Sequence, residues 1–284
     1  MNVSDALRSA AKRLQHIGDT GALDASRLLE HVTGRDRAGL LMAADVPLDA
    51  DTRGAFEALV ARRERGEPVA YIVGNAGFYG RTFLVDERVL VPRPESEHVV
   101  EAVVDDLRAR RKTGGIIVDV GTGSGALGIT LACELPALQV YGTDISSDAL
   151  SVARHNAALN NVFQRCTFLA GDLLAPLRRF GERVDAVVAN LPYIPADHVP
   201  VAPNPAGFEP RIALDGGPDG LDIYRRLLAQ LDGIAAADAA IFLEAAPGTI
   251  EPLGELVEET FPTAYIEIGE DYAGLERFLQ FVRS

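Results

Sequence analysis

The sequence predicts an α/β protein with a Rossmann-like parallel sheet, preceded by a small helical domain. The first observation is the apolar, mostly β-branched segment 116–120, whose composition is typical of a buried parallel strand. The second is a set of alternating glycines, Gly121, Gly123 and Gly125, followed by a helical pattern from Ala126. The third is the alternation of strand and helix patterns beyond this point, as expected when helices connect parallel strands.

The N-terminal quarter of the chain has helical periodicity and no strand pattern. Three helices are predicted: one after a cap at Ser4, one from a cap at Asp24 to Gly34, and one over residues 52–65. We therefore expect residues 1–73 to form a helical bundle. Such a bundle is either a packing appendage or a substrate-recognition domain, and its place before a second domain favours substrate recognition.

A change of pattern marks the connection to the second domain. Residues 78–92 predict a β-hairpin within a linker of residues 74–93, and Asp86 and Glu87 are placed near its turn. The proline-rich stretch that follows favours an extended backbone before a helix that begins near Glu95.

The second domain, residues 94–284, is predicted to contain seven strands connected mainly by helices. The strands are predicted at residues 116–120, 139–144, 166–172, 184–189, 239–244, 265–269 and 277–282. Helices are predicted at residues 126–134, 147–160 and 222–231. The last two strands are expected to close the sheet as an antiparallel pair.

An acidic residue at the end of the second of these strands indicates a ribose-binding site. In doubly wound folds an acid at the position of Asp144 accepts hydrogen bonds from the hydroxyls of a bound ribose. The glycine spacing is G-x-G-x-G, with the next glycine only at Gly128, whereas dinucleotide sites use G-x-G-x-x-G. The glycines alone are also compatible with an ordinary tight turn between strand and helix.

The pattern VDVGTGSG at residues 118–125, followed by TDIS, resembles S-adenosylmethionine-dependent methyltransferases. The resemblance implies S-adenosyl-L-methionine as the cofactor. It also implies the class I methyltransferase fold, a seven-stranded Rossmann-like sheet. The cofactor-binding residues that it implies are Asp119, Gly121, Thr122, Gly123, Ser124, Gly125, Asp144, Ile145, Asp172, Leu173 and Asn190, with Asp144 at the ribose and Asp172 and Leu173 beside the adenine.

The predicted catalytic residues follow the fourth strand and are Asn190, Leu191, Pro192 and Tyr193. An amide or exocyclic amine nitrogen is a poor nucleophile because its lone pair is delocalised, and two acceptors aimed at its hydrogens would position it. Asn190 offers a side-chain carbonyl, and Leu191 offers a backbone carbonyl next to a proline. Tyr193 can cover a planar target group. A proline turn with a buried tyrosine is the structural alternative.

This tetrapeptide resembles the N-P-P-Y motif of amino-methyltransferases that act on adenine, protein glutamine or RNA guanine. The stretches EPVAYIVG (67–74), FYG (78–80), VLVPRPESE (89–97) and EPRIALDGGPDGL (209–221) resemble the HemK/PrmC family, as do Asp271, Gly274 and Arg277. That family methylates a glutamine amide in peptide chain release factors, in the sequence Gly-Gly-Gln. The resemblance further implies that Arg93, Pro94 and Glu95 shape the active site.

Two stretches depart from the family pattern. Leu191 stands where the family usually has proline, and the segment LEAAP (243–247) differs from the usual sequence after the fifth strand. The alternatives are therefore a related enzyme with another protein target, a nucleic-acid amino-methyltransferase, and a binding module that has lost catalysis. Retention of Asn190, Pro192, Tyr193 and Asp144 favours an active enzyme.

Composition narrows the possible partners. The chain has 284 residues, 48% of them hydrophobic, and a formal charge of −14 that opposes passive association with nucleic acid. The two cysteines are expected to be reduced core thiols, and the five histidines have no metal-ligand spacing, so no metal is expected. Without an apolar signal segment or membrane span, we expect a cytoplasmic protein that does not bind membranes and is monomeric.

Overall fold

The first 73 residues are helical, as predicted. The helices are α1 (Val3–Leu14), α2 (Gly21–Thr33), α3 (Arg37–Met42), α4 (Ala50–Glu64) and α5 (Val69–Val73). Their apolar faces meet in one buried cluster that includes Leu14, Leu28 and Phe56.

Two predicted helix caps in this region are wrong. The cap of α1 is Asn2 rather than Ser4, because the Asp5 N–H donates to Asn2 Oδ1 at 2.8 Å. Asp24 lies inside α2, where its buried carboxylate accepts a hydrogen bond from Arg63 Nε at 2.7 Å. The helix begins earlier, at Gly21, where a Cβ would lie 2.9 Å from a carbonyl oxygen of α1.

The computed structural model describes residues 1–181 and 183–282, and these fall into two units. One comprises Met1–Asn75 and Pro200–Glu209, and the other comprises Ala76–Val199 and the chain from Pro210 onward. Among the described residues, no helix is long and apolar enough to cross a membrane.

The predicted hairpin is present, but its turn lies earlier in the sequence than predicted. Strands β1 (Asn75–Phe78) and β2 (Arg81–Leu84) form a two-stranded sheet. Tyr79 and Gly80 connect them with φ angles of +49° and +69°, as in the tight turns that match strand twist. Asp86 instead forms a local turn, accepting the Arg88 N–H at 3.1 Å.

A seven-stranded sheet forms the centre of the second unit. Its strands are β3 (Ile116–Val120), β4 (Gln139–Asp144), β5 (Cys166–Ala170), β6 (Val184–Asn190), β7 (Ala235–Glu244), β8 (Tyr265–Glu270) and β9 (Glu276–Val282). The order is β5-β4-β3-β6-β7-β9-β8. The first five strands of that order are parallel, and β9 is antiparallel to both β7 and β8, as predicted.

Helices cover both faces of this sheet. Helices α6 (Ser96–Ala109), α7 (Ala126–Glu134) and α8 (Ser147–Leu159) bury one apolar cluster, whereas α9 (Asp222–Gln230) and α10 (Pro247–Thr260) bury the other. Helix α10 was not predicted. Strand β6 contributes to both clusters because its side chains alternate: Val188 belongs to the first and Val187 to the second.

Asn156 connects α8 to two other elements of this unit. Its side chain is fully buried, and its amide oxygen accepts the Leu84 N–H at 2.7 Å. Its Nδ2 donates to the carbonyl of Leu84 at 3.0 Å and to the carbonyl of Ser124 at 2.8 Å. One side chain therefore provides hydrogen-bond partners for backbone groups at the end of β2 and in the loop after β3.

We expect Asn156→Ala to lower the free energy of unfolding by about 1–3 kcal/mol or more. One buried polar group without a partner costs this much, and the substitution leaves several backbone groups unpaired. Chemical denaturation measures this change, and faster hydrogen exchange at the Leu84 amide should accompany it. The neighbouring exposed residue provides the control, since His155→Ala should change stability by no more than about 0.5 kcal/mol. Equal effects of the two substitutions would contradict the assignment.

Candidate active site

The predicted site residues meet at the carboxyl edge of the sheet because β3 lies in register between β4 and β6. Val120 pairs with Thr143 on one side and with Ala189 on the other. The residues that follow these three are Gly121, Asp144 and Asn190. Strand order reverses at β3, and this is the position where open α/β sheets bind ligands.

A buried carboxylate holds the glycine loop after β3. Asp119 is 1% exposed and accepts hydrogen bonds from the Thr122 hydroxyl at 2.6 Å and from the Gly128 N–H at 3.0 Å. Burial raises the pKa of Asp119 to about 6. The φ angles of Gly121, Gly123 and Gly125 are +69°, +52° and +83°, a conformation that glycine adopts without strain. Asp119 therefore stabilises the conformation of the glycine loop.

Asp144 lies beside this loop and receives two backbone donors. Its Oδ2 accepts the Gly123 N–H at 2.9 Å, and its Oδ1 accepts the Ser146 N–H at 2.8 Å. Burial raises the pKa of Asp144, and these hydrogen bonds oppose the rise. Each carboxylate oxygen has a second lone pair with which it can accept a hydrogen bond from a ligand hydroxyl.

The larger of two adjoining cavities opens next to Asp144. It measures about 920 Å³ including its solvent-open mouth. Ile145 and Ile212 line it although they are 61% and 59% exposed, so apolar surface is presented to whatever enters. Leu173 also lines it and has a φ of +50°, a strained backbone for a branched residue that is typical of functional loops. An apolar slot with a carboxylate at one side suits a nucleoside.

Asp172 stands at the same cavity, but its carboxylate has protein partners. Arg226 donates to Oδ1, and Gln230 Nε2 donates to Oδ2 at 3.0 Å. The Gln230 amide oxygen also accepts the Leu174 N–H at 3.0 Å. Asp172 and Gln230 therefore position the strained turn that carries Leu173.

The smaller cavity shares Leu90, Gly121, Gly123 and Asn190 with the larger one. Its own lining includes Arg93, Ser96 and Ser124. Asn190 thus lies at the junction of the two spaces, where its Nδ2 donates to Ser96 Oγ at 3.2 Å. Because Nδ2 is engaged, Oδ1 is the end of the amide left to accept a hydrogen bond.

Asn190 and Leu191 point to opposite faces of the sheet. The Leu191 side chain is 3% exposed, and a Cβ on Gly121 would lie 2.8 Å from its Cδ2. On this face the Tyr224 hydroxyl donates to the backbone carbonyl of Glu244 and lies 3.4 Å from the carbonyl oxygen of Leu191. Burial raises the pKa of Tyr224, which keeps the hydroxyl a donor.

A glycine-containing segment supports the loop of Pro192 and Tyr193. The Ile194 N–H donates to the carbonyl of Leu214 at 3.0 Å, and the Gly216 N–H donates to the carbonyl of Ile194 at 2.9 Å. A Cβ on Gly220 would lie 2.3 Å from the Tyr193 carbonyl oxygen. Glycines in the stretch 214–221 are therefore needed for close packing against this loop.

Most of the predicted site residues line one of the two cavities, and a few line neither. The larger cavity is lined by Gly121, Gly123, Asp144, Ile145, Asp172, Leu173, Asn190, Leu191 and Pro192. The smaller cavity adds Arg93, Asp119, Thr122 and Ser124. Gly125, Tyr193 and Glu95 line neither of these two cavities; Gly125 caps α7, and the Tyr193 ring packs against the apolar cluster that contains α9.

Several site residues were missed in the sequence. Ser96 and Glu244 lie behind Asn190, Tyr224 lies behind Leu191, and Ile212, Ile223 and Arg226 are among the further residues that line the larger cavity. Ser96 and Ile212 fall within stretches that carry the family resemblance, and Glu244 falls within the stretch 243–247 that departs from it, but their roles depend on contacts across the fold. No local pattern marks the others.

Comparisons with known proteins agree with this architecture. The PrmC N-terminal domain model matches residues 5–74, and the ribosomal protein L11 methyltransferase (PrmA) model matches residues 100–195. The release factor glutamine methyltransferase of Bacillus anthracis is 38% identical over 284 residues, covering 98% of each chain. That of Moorella thermoacetica is 39% identical over 285 residues, covering 100% of this chain and 99% of its own.

Two solved structures share the fold. The hMettl16 catalytic domain, solved with the MAT2A 3'UTR hairpin 6, has a TM-score of 0.54 at 15% identity and covers 84% of this chain and 94% of its own. A SAM-dependent methyltransferase from Agrobacterium tumefaciens has a TM-score of 0.51 at 14% identity, covering 74% of this chain and 69% of its own.

The sheet order, the glycine loop and the edge at which they meet are those of the class I fold of S-adenosylmethionine-dependent methyltransferases, as predicted. Within that class, near-full-length identity above one third identifies the family. The chain belongs to the release factor glutamine methyltransferase family.

The packing of Gly220 against Tyr193 can be separated from backbone strain. Gly220 and Gly233 have the same φ of +81°, but a Cβ on Gly233 would have no atom within 4 Å. Gly233→Ala should therefore cost only the strain of a left-handed residue, roughly 1–2 kcal/mol. Gly220→Ala should cost clearly more in the free energy of unfolding and should also reduce activity. Equal losses of stability would show that the contact with the Tyr193 carbonyl is unimportant.

Proposed function

We propose that the protein transfers a methyl group from S-adenosyl-L-methionine to the side-chain amide nitrogen of a glutamine in a protein. The proposed target is the Gly-Gly-Gln glutamine of a peptide chain release factor. The observation that carries the proposal is the position of Asn190 at the junction of the two cavities, with Nδ2 engaged and Oδ1 left to accept.

The larger cavity fits the nucleoside part of this cofactor. Asp144 would accept hydrogen bonds from the ribose hydroxyls while it keeps the N–H groups of Gly123 and Ser146. Ile145, Leu173 and Ile212 would contact the adenine through their apolar surface. When bound, S-adenosylmethionine supplies a methyl group made electrophilic by its positively charged sulfur.

Two acceptors of the chain would orient the target amide. Asn190 Oδ1 and the Leu191 carbonyl would each accept one N–H of the glutamine, which aims the nitrogen and favours the positive charge it develops. Held in this way, the nitrogen would face the bound cofactor and would receive the methyl group that its sulfonium supplies. A proton subsequently leaves the amide for solvent. The prediction that the Tyr193 ring covers the amide remains a prediction.

The leucine at position 191 is compatible with this role. A backbone carbonyl is present whatever the side chain, and Pro192 restricts the backbone that carries it. The side chain itself is buried against the glycine loop and so stays out of the path of a substrate. We therefore expect the departure from proline to preserve methyl transfer.

The helical region supports a protein substrate. The match to the PrmC N-terminal domain covers residues 5–74, and the relatives that align over the whole chain act on release factors by their names. We propose that residues 1–73 recognise the release factor and that residues 94–284 catalyse methyl transfer. Residues 74–93 would form the linker between these two domains. The charge of −14 weighs against a nucleic-acid substrate.

The direct test is incubation with labelled S-adenosylmethionine and a release factor containing Gly-Gly-Gln, followed by tandem mass spectrometry. We expect one methyl group on the amide nitrogen of that glutamine and none on a Gly-Gly-Asn version of the factor. Labelling of RNA or DNA in place of the factor would overturn the proposal in favour of a nucleic-acid enzyme.

Asp144→Ala should weaken cofactor affinity. Each hydrogen bond from a ribose hydroxyl to the carboxylate is worth about 1.5–3 kcal/mol, or roughly tenfold or more in affinity. Calorimetry with S-adenosylmethionine measures the change. The exposed Asp105 provides a control of equal charge, and Asp105→Ala should bind like the parent. Parental affinity in Asp144→Ala would remove the carboxylate from the ribose site.

Asn190→Ala should leave cofactor affinity near the parental value and suppress turnover. Loss of one contact to the developing charge costs about 2.7–4 kcal/mol, which is on the order of a hundredfold or more in kcat. Single-turnover measurements at saturating cofactor give this value. Turnover at the parental rate would show that the tetrapeptide has been misinterpreted.

A further inference from the structure

Three polar side chains behind the reacting position form a chain of hydrogen bonds. Asn190 of β6 and Glu244 of β7 are register partners on adjacent parallel strands, so their side chains lie on the same face. Ser96, the first residue of α6, connects them. Asn190 Nδ2 donates to Ser96 Oγ at 3.2 Å, and Ser96 Oγ donates to Glu244 Oε1 at 2.8 Å.

The charge on Glu244 decides the direction of this chain. An ionised carboxylate only accepts, so the Ser96 hydroxyl must give its one proton to Glu244. The oxygen of Ser96 is then left to accept, and the end of the Asn190 amide that can donate is Nδ2. Oδ1 consequently faces away from Ser96.

Protonation of Glu244 removes that constraint. A neutral carboxylic acid can donate to Ser96 Oγ, and the hydroxyl of Ser96 is then free to donate in the other direction. Nδ2 can still donate to the remaining lone pair of Ser96 Oγ, but Asn190 Oδ1 can now accept from the hydroxyl instead, once the amide has turned over. In this orientation the amide presents Nδ2 at the junction of the two cavities and offers no acceptor there.

We propose that Ser96 and Glu244 are positioning residues that select which end of the Asn190 amide faces the substrate, and that the ionised form of Glu244 selects Oδ1. The value of this selection to catalysis rests on the proposed function, since only an acceptor at that place would orient an amide N–H. The hydrogen-bond chain itself does not depend on the substrate.

The surroundings of Glu244 make its charge sensitive to pH. The carboxyl is 4% exposed, and its second oxygen, Oε2, has no partner in the described part of the chain. Burial raises the pKa of Glu244 to about 7, and nearby Glu95 adds to the rise. The hydrogen bond from Ser96 opposes the rise, and so do Arg277 and Arg93. The remaining titratable neighbours are Tyr193 and Tyr224, whose own pKa values are raised by burial, so both stay neutral near pH 7.

The direction of the pH effect follows from the charge that Glu244 carries above and below its raised pKa. Above pH 7 Glu244 is mostly ionised and Oδ1 is presented, whereas below pH 7 it is mostly protonated and the selection is lost. We expect kcat to fall below the transition toward a lower plateau, because only the fraction of molecules with Oδ1 at the junction stays active. Affinity for S-adenosylhomocysteine should not follow this transition.

The test compares kcat, KM and cofactor affinity from pH 6 to 9 in the parent and in Glu244→Gln, Ser96→Ala and Ser96→Thr. Glu244→Gln should have a lower kcat and lack the transition near pH 7, with little change in KM. Ser96→Ala should lower kcat, and Ser96→Thr, which keeps a hydroxyl, should restore much of it together with the pH dependence. Thr130→Ala removes a buried hydroxyl that has no partner in the described residues, and it should match the parent.

A second readout does not require activity. The side-chain amide resonances of Asn190, assigned by their absence in Asn190→Ala, should titrate with a midpoint near pH 7 in the parent and should not titrate in Glu244→Gln. A parent resonance that does not titrate, or a parental kcat and pH profile in Glu244→Gln, would overturn the inference. If the resonance titrates but the parent methylates no glutamine, the proposed function fails and the selection of the amide end stands.

Discussion

The site depends on the parallel register of β3 between β4 and β6. One row of backbone pairing, Thr143 with Val120 and Val120 with Ala189, sets the ends of three strands side by side. The glycine loop, the Asp144 carboxylate and the amide of Asn190 are brought together by that row, and contacts such as that between Gly123 and Asp144 then fix their geometry. A slip of one residue would turn Asn190 to the opposite face of the sheet. The same register, continued to β7, places Glu244 beside Asn190.

Because side chains alternate at the end of β6, Asn190 and Leu191 point to opposite faces of the sheet. Asn190 turns toward α6, where Ser96 engages its Nδ2, and Leu191 turns toward α9, where Tyr224 lies near its carbonyl. One proposed acceptor is thus a side chain that a serine connects to a neighbouring carboxylate, and the other is a backbone group that lies before a proline and near a buried tyrosine. This arrangement explains why a leucine in place of the family's proline need not remove either acceptor.

Much of this could be predicted from the sequence where local signals suffice. The bounds of β3, α7 and β4 match the prediction, because apolar runs, glycines and a helical pattern adjoin one another there. The hairpin turn was misplaced because Tyr79 with positive φ is a weak signal, whereas Asp86 and Glu87 are typical turn residues. Ser96 and Glu244 could not be found, since they are 148 positions apart in sequence and meet only in the folded sheet.

In the proposed reaction, Asn190 Oδ1 and the Leu191 carbonyl together accept hydrogen bonds from the target amide. A crystal structure of the protein with S-adenosylhomocysteine and a Gly-Gly-Gln peptide at a pH above 8 tests it most directly. We expect the glutamine amide nitrogen within about 3.2 Å of both oxygens, with Asn190 Nδ2 still donating to Ser96. A glutamine held by other groups, or facing Nδ2 of Asn190, would contradict it.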